Sequence, residues 1–275
     1  MKHSKVLYVS QEVFPYSDAN PVSEACRYLP QATLEQGHEI RTFMPKWANI
    51  NERRNQLHEV IRLSGMNIII DDTDHPLIIK VASIQQARMQ VYFIENEDYF
   101  SRISLTEGTL LESGFPDNDE RCIFYARGVL ETVKMLRWNP DVIHVHGWLG
   151  ALVGLYAKVL YPDEPAYRSS RIILSLTGGD FRGTLRDDFL TLLRTKNMPD
   201  FDAAGIEAPF DCATLLRLAV RYADGVIVAT PDADPAVVSY ARELGKPILE
   251  ATTSDTYYTD CQAFYDLVCG GDTPQ

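Results

Sequence analysis

Three polar segments, residues 11–20, 144–150 and 175–183, lie at or just after the ends of short apolar runs in this chain of 275 residues. Side chains of the kinds found there can transfer protons or stack on sugars, and adjacent glycines can offer backbone N–H groups to an anion. The candidate cleft or ligand-binding residues are Glu12, Asp18, Asn20, Glu24, His146, Trp148, Thr177, Gly178, Gly179, Asp180 and Arg182. The sequence assigns a catalytic role to none of them.

The second segment carries two histidines, His144 and His146, on a predicted strand. We expect them to point to opposite faces of that strand, so that they cannot hold a metal ion together unaided. One of them is then a hydrogen-bonded core residue, and His146 lines the cleft. Trp148 either stacks on a sugar or packs at the start of a helix, and packing is the favoured interpretation.

The third segment places Gly178 and Gly179 beside Asp180 and Arg182. The two glycines either present backbone N–H groups to an anion or form an ordinary tight turn. The simplest use of Asp180 and Arg182 is an ion pair with each other or the capping of a helix that starts near Thr184.

Composition limits the class of protein. A hydrophobic content of 45% over 275 residues is enough for a full core within one large domain. The formal net charge of −12 argues against nucleic acid or an anionic membrane as a partner. The five cysteines show no zinc-ligand or disulfide spacing, and the first residues show no signal peptide. We therefore predict a reduced cytoplasmic protein without a metal or cofactor.

The apolar periodicity alternates between strands and helices along the chain. Predicted strands span residues 5–10, 39–44, 141–146, 171–176, 224–229 and 247–250. Predicted helices span residues 21–36, 118–137, 148–160, 184–195, 209–223 and 233–243. This alternation is typical of an α/β fold, a doubly wound and mostly parallel Rossmann-like sheet with helices on both faces. Ligands of such folds bind beyond the carboxyl ends of the strands, where the three polar segments fall.

Residues 59–95 interrupt this alternation with β-rich runs that are separated by turn signals, such as the one at 71–76. We predict a small β-rich insertion, a hairpin or meander, whose last strand rejoins the main sheet. The main domain is predicted to span residues 1–250, and residues 251–275 to form a C-terminal helix and tail.

Several segments occur in the order and spacing found in one protein family. They are residues 12–15, 22–30, 117–131, 139–148 and 222–231. On these segments the chain resembles the bacterial glycogen synthases and plant starch synthases, specifically the N-terminal half of their catalytic domain. The resemblance covers nearly the whole chain.

The resemblance implies the first lobe of a two-lobed GT-B glycosyltransferase fold. Members of the family move glucose from ADP-glucose to the end of an α-1,4-glucan with retention and without a metal. The N-terminal lobe contributes much of the acceptor cleft, whereas the C-terminal lobe holds most of the nucleotide sugar. Residues 251–275 are too few for a donor-binding lobe, and residues 258–269 are expected to be the helix that crosses back onto the first lobe.

The first polar segment departs from the family pattern. The family has Lys-Thr-Gly-Gly where this chain has Asp18, Ala19, Asn20 and Pro21. Two unit charges about 5 Å apart interact by roughly 3 kcal/mol at an effective dielectric constant of about 20, so Asp18 replaces an attraction for a diphosphate by a repulsion. Asn20 and Pro21 instead predict a helix start, with asparagine as the N-cap and proline in the first turn.

The other two segments depart from the family pattern as well. Where the family has His-x-His-Asp-Trp-His, this chain has Gly147 and Leu149 in place of the aspartate and the last histidine. Thr177 and Gly178 stand in place of a histidine and an asparagine, and that histidine binds the transferred glucose in the family. A threonine cannot supply the charge or the proton of an imidazole.

These departures leave three hypotheses for function. The first is a protein of α-glucan metabolism without independent catalysis, which binds an α-glucan, a sugar phosphate or a protein partner. The second is half of a glucosyltransferase whose cleft is completed by a separately encoded donor-binding lobe; the expected protein partner is such a donor-lobe protein or a second copy of the chain in a homo-oligomer. The third is a glucosyltransferase that uses a sugar nucleotide, or another sugar-transforming enzyme, acting alone with altered residues. Aromatic residues that either stack on a glucan or pack in the core are Tyr92, Tyr99, Phe100 and Phe115.

Overall fold

The computed structural model describes residues 3–102, 114–196, 198–250 and 256–270, which form an α/β fold around one large sheet. Its strands are β1 (Lys5–Ser10), β2 (Glu39–Pro45), β3 (His58–Glu59), β4 (Met66–Ile70), β5 (Thr73–Ile84), β6 (Met89–Glu95), β7 (Val142–His146), β8 (Arg171–Leu176), β9 (Gly225–Val228) and β10 (Ile248–Glu250). The order across the sheet is β10-β9-β8-β7-β1-β2-β6-β5-β3, and β4 pairs with β5.

The helices connect these strands and cover both faces of the sheet. They are α1 (Pro21–Glu35), α2 (Glu52–Asn55), α3 (Glu97–Phe100), α4 (Asn118–Met135), α5 (Val153–Leu155), α6 (Phe189–Leu192), α7 (Cys212–Tyr222), α8 (Pro235–Glu243) and α9 (Tyr257–Val268). A π-helical turn, Tyr156–Leu160, continues α5, and short 3₁₀ turns span Ile61–Leu63 and Gln85–Ala87.

The predicted doubly wound sheet is confirmed. Every pairing from β10 across to β6 is parallel, and the three pairings made by β5 are antiparallel. β6 pairs with β2, so the last strand of the predicted β-rich insertion does rejoin the main sheet. The strand order reverses between β1 and β7, and the crevice at such a switch point is where ligands bind in open α/β sheets.

Three sequence predictions of local structure were wrong. The turn predicted at 71–76 is only Asp71-Asp72, both at positive φ, and β5 begins directly after it. The helix predicted at 184–195 shrinks to α6, because Leu185 N donates to Phe210 O instead of to a helical carbonyl. The helix predicted at 148–160 begins only with α5.

The C-terminal helix α9 packs back against α1 and the sheet. Gln262 Nε2 donates to Thr33 Oγ1 of α1 over 2.6 Å. The Tyr265 hydroxyl lies 2.6 Å from His144 Nδ1 of β7 and 3.4 Å from the Tyr8 hydroxyl of β1. This helix therefore covers the sheet close to the switch point.

Candidate functional site

The three polar segments meet at the carboxyl edge of the sheet, beside the switch point. Leu149 N in the loop after β7 is 3.4 Å from Gln11 Oε1 in the loop after β1. The rings of Trp148 and Phe181, from the loops after β7 and β8, meet edge to face with their centroids 4.9 Å apart. The structure thus places the candidate residues of the three segments along one edge.

The loop after β1 is organised as the start of a helix. Asn20 Oδ1 accepts hydrogen bonds from the N–H groups of Val22 and Ser23, and Pro21 is the first residue of α1, which confirms the predicted cap. Asn20 Nδ2 donates to Glu12 Oε2 over 2.8 Å, so Glu12 holds the capping side chain. Asp18 is exposed beside this cap. The loop therefore offers a carboxylate and no cation to a ligand.

Glu24 lies on the first turn of α1 and is exposed. It contributes to raising the pKa of Tyr258 on α9, although burial of Tyr258 is the larger cause. Glu24 consequently faces the side where α1 and α9 meet rather than the centre of the edge.

Gly147 has a backbone conformation that favours glycine, and a neighbouring side chain occupies the space where its own side chain would project. Its φ of +76° lies in the left-handed region that glycine adopts most readily. A Cβ placed on this residue would lie 2.3 Å from Gln11 Oε1 and 2.4 Å from its Cδ. The buried amide of Gln11 thus occupies the space that an aspartate side chain would need at position 147.

The prediction that His144 and His146 point to opposite faces was wrong. Their ring centroids lie 4.0 Å apart, because residues two positions apart on a strand share a face. Both rings are buried between the sheet and its covering helices. The described residues contain no cluster of three or more potential metal ligands, here or elsewhere.

The two histidines have different roles. His144 is the hydrogen-bonded core histidine, with Nδ1 2.6 Å from the Tyr265 hydroxyl and Nε2 2.6 Å from Ser175 Oγ. Burial and the nearby His146 lower its pKa well below the ordinary value. His146 is also fully buried, which lowers its pKa to about 3, and its Nε2 has no partner among the described residues. Both imidazoles are neutral near pH 7, so neither supplies a cation to the edge.

Trp148 is a core residue, as the favoured interpretation predicted. Its side chain is 1% exposed and packs against Phe181, so neither ring face is open to a sugar. Three of the four aromatic candidates for glucan stacking are also in the core, namely Tyr92, Tyr99 and Phe100. Phe115 is half-buried, with the Arg121 guanidinium 4.5 Å from its ring centroid and that of Arg102 4.9 Å away.

The loop after β8 is closed by residues that follow β9. Gly178 N donates to Thr230 Oγ1 over 3.0 Å. A Cβ on Gly178 would lie 1.7 Å from Asp232 Oδ2, so an exposed carboxylate stands where a side chain at position 178 would project. Thr177 is buried, and its Oγ1 has no partner among the described residues. Gly179 is exposed with a φ of +82°, as in a turn.

Asp180 and Arg182 do not take the roles predicted for them. Asp180 is hydrogen-bonded to Cys212, and burial raises the pKa of its carboxyl. Arg182 is exposed, and the N-cap of the next helix is Asp188 rather than either residue.

Carboxylates surround this part of the edge. Asp211, Asp232 and Asp234 each lie close enough to Asp180 to raise its pKa further. Asp211 and Asp234 cap helices α7 and α8 by accepting backbone N–H bonds. Apart from the exposed Arg182, the charged side chains named here are acidic, so this part of the edge disfavours an anionic ligand.

Sequence reasoning missed Gln11, Asp232 and Tyr265, although each defines the site. Gln11 and Asp232 fill the spaces beside the two glycines, and Tyr265 comes from α9, more than a hundred residues beyond the strand that it contacts. The available signal was the glycine itself at each strand end, since a missing side chain leaves a space that a packed protein fills.

Comparison with known proteins adds the family. The chain matches the family described as the starch synthase catalytic domain over residues 5–249. The chain belongs to this family. No helix within the described residues has the length and apolarity needed to cross a membrane.

The curated relatives that the chain matches include bacterial glycogen synthases. The chain is 30% identical to the glycogen synthase of Chlorobaculum parvum over 275 residues, which is 100% of this chain and 54% of that protein. It is 36% identical to the glycogen synthase of Chlorobium luteolum over 184 residues, 67% of this chain and 38% of that protein. The chain therefore spans about half the length of the curated relatives that it matches, or less.

A solved structure shows the same fold. The catalytic domain of starch synthase IV from Arabidopsis thaliana, bound to ADP and acarbose, superposes with a TM-score of 0.69 at 17% sequence identity. The match covers 93% of this chain and 53% of that one. The sheet described above therefore has the fold of the corresponding part of that catalytic domain.

Proposed function

We propose that this chain is an α-glucan-binding protein of glycogen metabolism that does not by itself transfer glucose from a sugar nucleotide. Support for the glucan comes from the relatives, which are glycogen synthases and which this chain matches over 54% and 38% of their length. Support for the loss of transfer comes from the side chains at the carboxyl edge, and it does not depend on where the chain ends.

The observation that carries the proposal is the carboxylate of Asp232 beside Gly178. In the family pattern an asparagine stands at this position and a histidine at that of Thr177. Here the Asp232 Oδ2 atom would be 1.7 Å from any Cβ at 178, so a second side chain has taken the space. The group that fills it is an anion, and Thr177 is buried without an imidazole to replace the missing one.

Charge strengthens the argument. A nucleotide diphosphate approaching this edge meets the exposed carboxylates of Asp18 and Asp232. The loop after β1 supplies no cation, and the loop after β8 supplies one exposed cation, Arg182. Each carboxylate about 5 Å from a phosphate charge opposes binding by roughly 3 kcal/mol at an effective dielectric constant of about 20, before screening by salt. A neutral glucan pays no such penalty.

Titration calorimetry on the whole chain tests this proposal, with ADP-glucose and maltoheptaose as separate ligands. We expect heat of binding from maltoheptaose and none from ADP-glucose at millimolar concentration. A primer-extension assay on the same sample is expected to show no glucose incorporation. Transfer at an ordinary turnover rate would overturn the proposal, and so would tight ADP-glucose binding. Transfer that appears only on adding a separate donor-binding lobe would identify a half-enzyme instead.

A further inference from the structure

A recess lies along the outer side of α1, away from the centre of the carboxyl edge. Its volume is about 690 Å³, within the range of about 300–1,000 Å³ that is usual for small-molecule sites. Four segments form it: residues 14–16 of the loop after β1, the middle of α1, residues 54–56, and residues 83–86 between β5 and β6.

The lining of this recess has an unusual charge for this chain. Two guanidinium groups, those of Arg27 and Arg54, and five amide side chains contribute to it, and none of its described lining residues is acidic. The chain as a whole has a formal net charge of −12. A recess lined by two cations and by no carboxylate favours a negatively charged ligand over a positively charged one.

Arg27 is a buried cation without a carboxylate partner in the described part of the chain. Its side chain is 5% exposed, and burial lowers the pKa of its guanidinium. Nη1 donates to Gln31 Oε1 over 2.6 Å and lies 3.6 Å from Met89 Sδ. Glu35 makes no ion pair with it but raises its pKa through space, and Gln31 links the two because its Nε2 donates to Glu35 Oε1. Because a buried guanidinium is ordinarily paired with an anion, a ligand anion would complete this site.

Arg54 provides the second cation at the rim. It is exposed on α2, and no carboxylate pairs with its side chain within the described ranges. Guanidinium groups bind phosphate oxygens through paired N–H donors, more specifically than a point charge does. Two of them on one recess therefore match a phosphate group.

The remaining lining matches the hydroxyl groups and ring of a sugar. The Tyr28 ring is 40% exposed, with the Arg27 guanidinium 5.3 Å from its centroid, and offers a surface for stacking. Amide side chains both donate and accept hydrogen bonds, as sugar hydroxyls require; those lining the recess are Gln31, Asn55, Gln56, Gln85 and Gln86.

We propose that this recess binds a phosphorylated sugar, with its phosphate on Arg27 and Arg54 and its hydroxyls on the amides. This site lies outside the centre of the carboxyl edge and goes beyond the function proposed above. Binding of a hexose phosphate can fail while maltoheptaose still binds, and the reverse result is equally observable.

Titration calorimetry with four probes tests the site: glucose 1-phosphate, glucose 6-phosphate, inorganic phosphate and maltose. We expect at least one hexose phosphate to bind tenfold or more tightly than phosphate or maltose. R54Q is expected to weaken that binding by about 10- to 100-fold, the usual effect of removing a charged hydrogen-bond donor. R53Q is the matched control, because Arg53 is the exposed neighbour that does not line the recess, and it should change affinity less than twofold.

Several outcomes would overturn the assignment. Equal binding of phosphate and hexose phosphate would indicate a non-specific anion site, and binding of maltose unaffected by R54Q would indicate a neutral-sugar surface. Equal losses in R53Q and R54Q, or no heat from any hexose phosphate, would also refute it. R27Q adds a second test provided that its circular dichroism matches the parent; the Arg53/Arg54 comparison stands without it.

Discussion

The contact between Gly147 and Gln11 allows a quantitative test of how the carboxyl edge is built. Replacing Gly147 by alanine places a methyl group 2.3 Å from Gln11 Oε1 and forces a residue with a side chain into φ +76°. The left-handed conformation costs about 1–2 kcal/mol. Overpacking against a buried side chain costs about 1–3 kcal/mol more. G147A is therefore expected to lower the free energy of unfolding by about 2–5 kcal/mol.

A second glycine separates these two contributions. Gly179 has φ +82° but nothing within 4 Å of the position that a Cβ would take. G179A should consequently show the conformational cost alone, about 1–2 kcal/mol. The difference between the two variants then measures the clash with Gln11.

Urea denaturation of five proteins provides the assay: the parent, G147A, G179A, Q11A and the G147A/Q11A double variant. We expect Q11A to recover about 1–3 kcal/mol of the loss in G147A, as a coupling energy between the two positions. Equal losses in G147A and G179A would refute the claim that Gln11 fills the space at 147. A coupling energy below about 0.5 kcal/mol would refute it as well.

Three further predictions concern buried side chains of the core. The pKa values of His144 and His146 are lowered in the folded protein, so below pH 6.5 the unfolded chain binds more protons than the folded one. The free energy of unfolding should therefore fall as the pH drops, by up to about 1.4 kcal/mol per pH unit for each histidine. Urea titrations from about pH 7 to about pH 4.5 measure this fall. Y265F leaves the buried His144 Nδ1 without its partner and should lower the free energy of unfolding by about 1–3 kcal/mol in the same assay. Y258F is the control on the same helix; because Tyr258 is less buried, it should change the free energy of unfolding by under about 0.5 kcal/mol. W148A should cost about 3–5 kcal/mol by creating a core cavity, while maltoheptaose affinity measured well below the melting temperature stays unchanged.

Much of the fold was predictable from local patterns. The Asn20-Pro21 pair marked the start of α1 within one residue, because an N-cap side chain bonds to backbone N–H groups only two or three residues further along the chain. Short apolar runs marked the six parallel strands other than β6, and the β-rich insertion was recognised as one. The prediction of a helix at 184–195 was wrong because Leu185 N donates to the carbonyl of the distant residue Phe210, a contact that no local sequence pattern shows.

The site was predictable only in outline. The sequence showed that Gly147 and Gly178 lack side chains, but it could not show that Gln11 and Asp232 stand beside them, because those contacts join loops that lie far apart in the chain. The orientation of His144 and His146 was open to prediction from the two-residue period of a strand, and it was predicted wrongly. The recess around Arg27 draws on four separate segments, so it had no signature in any one of them.

The two glycine contacts together determine what kind of change the edge has undergone. A family side chain that was merely lost would leave an open space, and restoring that residue would restore the site. Here each space holds a second side chain, the buried Gln11 amide at 147 and the Asp232 carboxylate at 178. Restoring the residue alone therefore creates a clash at 147 and displaces a carboxylate at 178. The carboxyl edge is an alternative packing with its own partners, so the loss of glucose transfer proposed above would not require any loss of the fold.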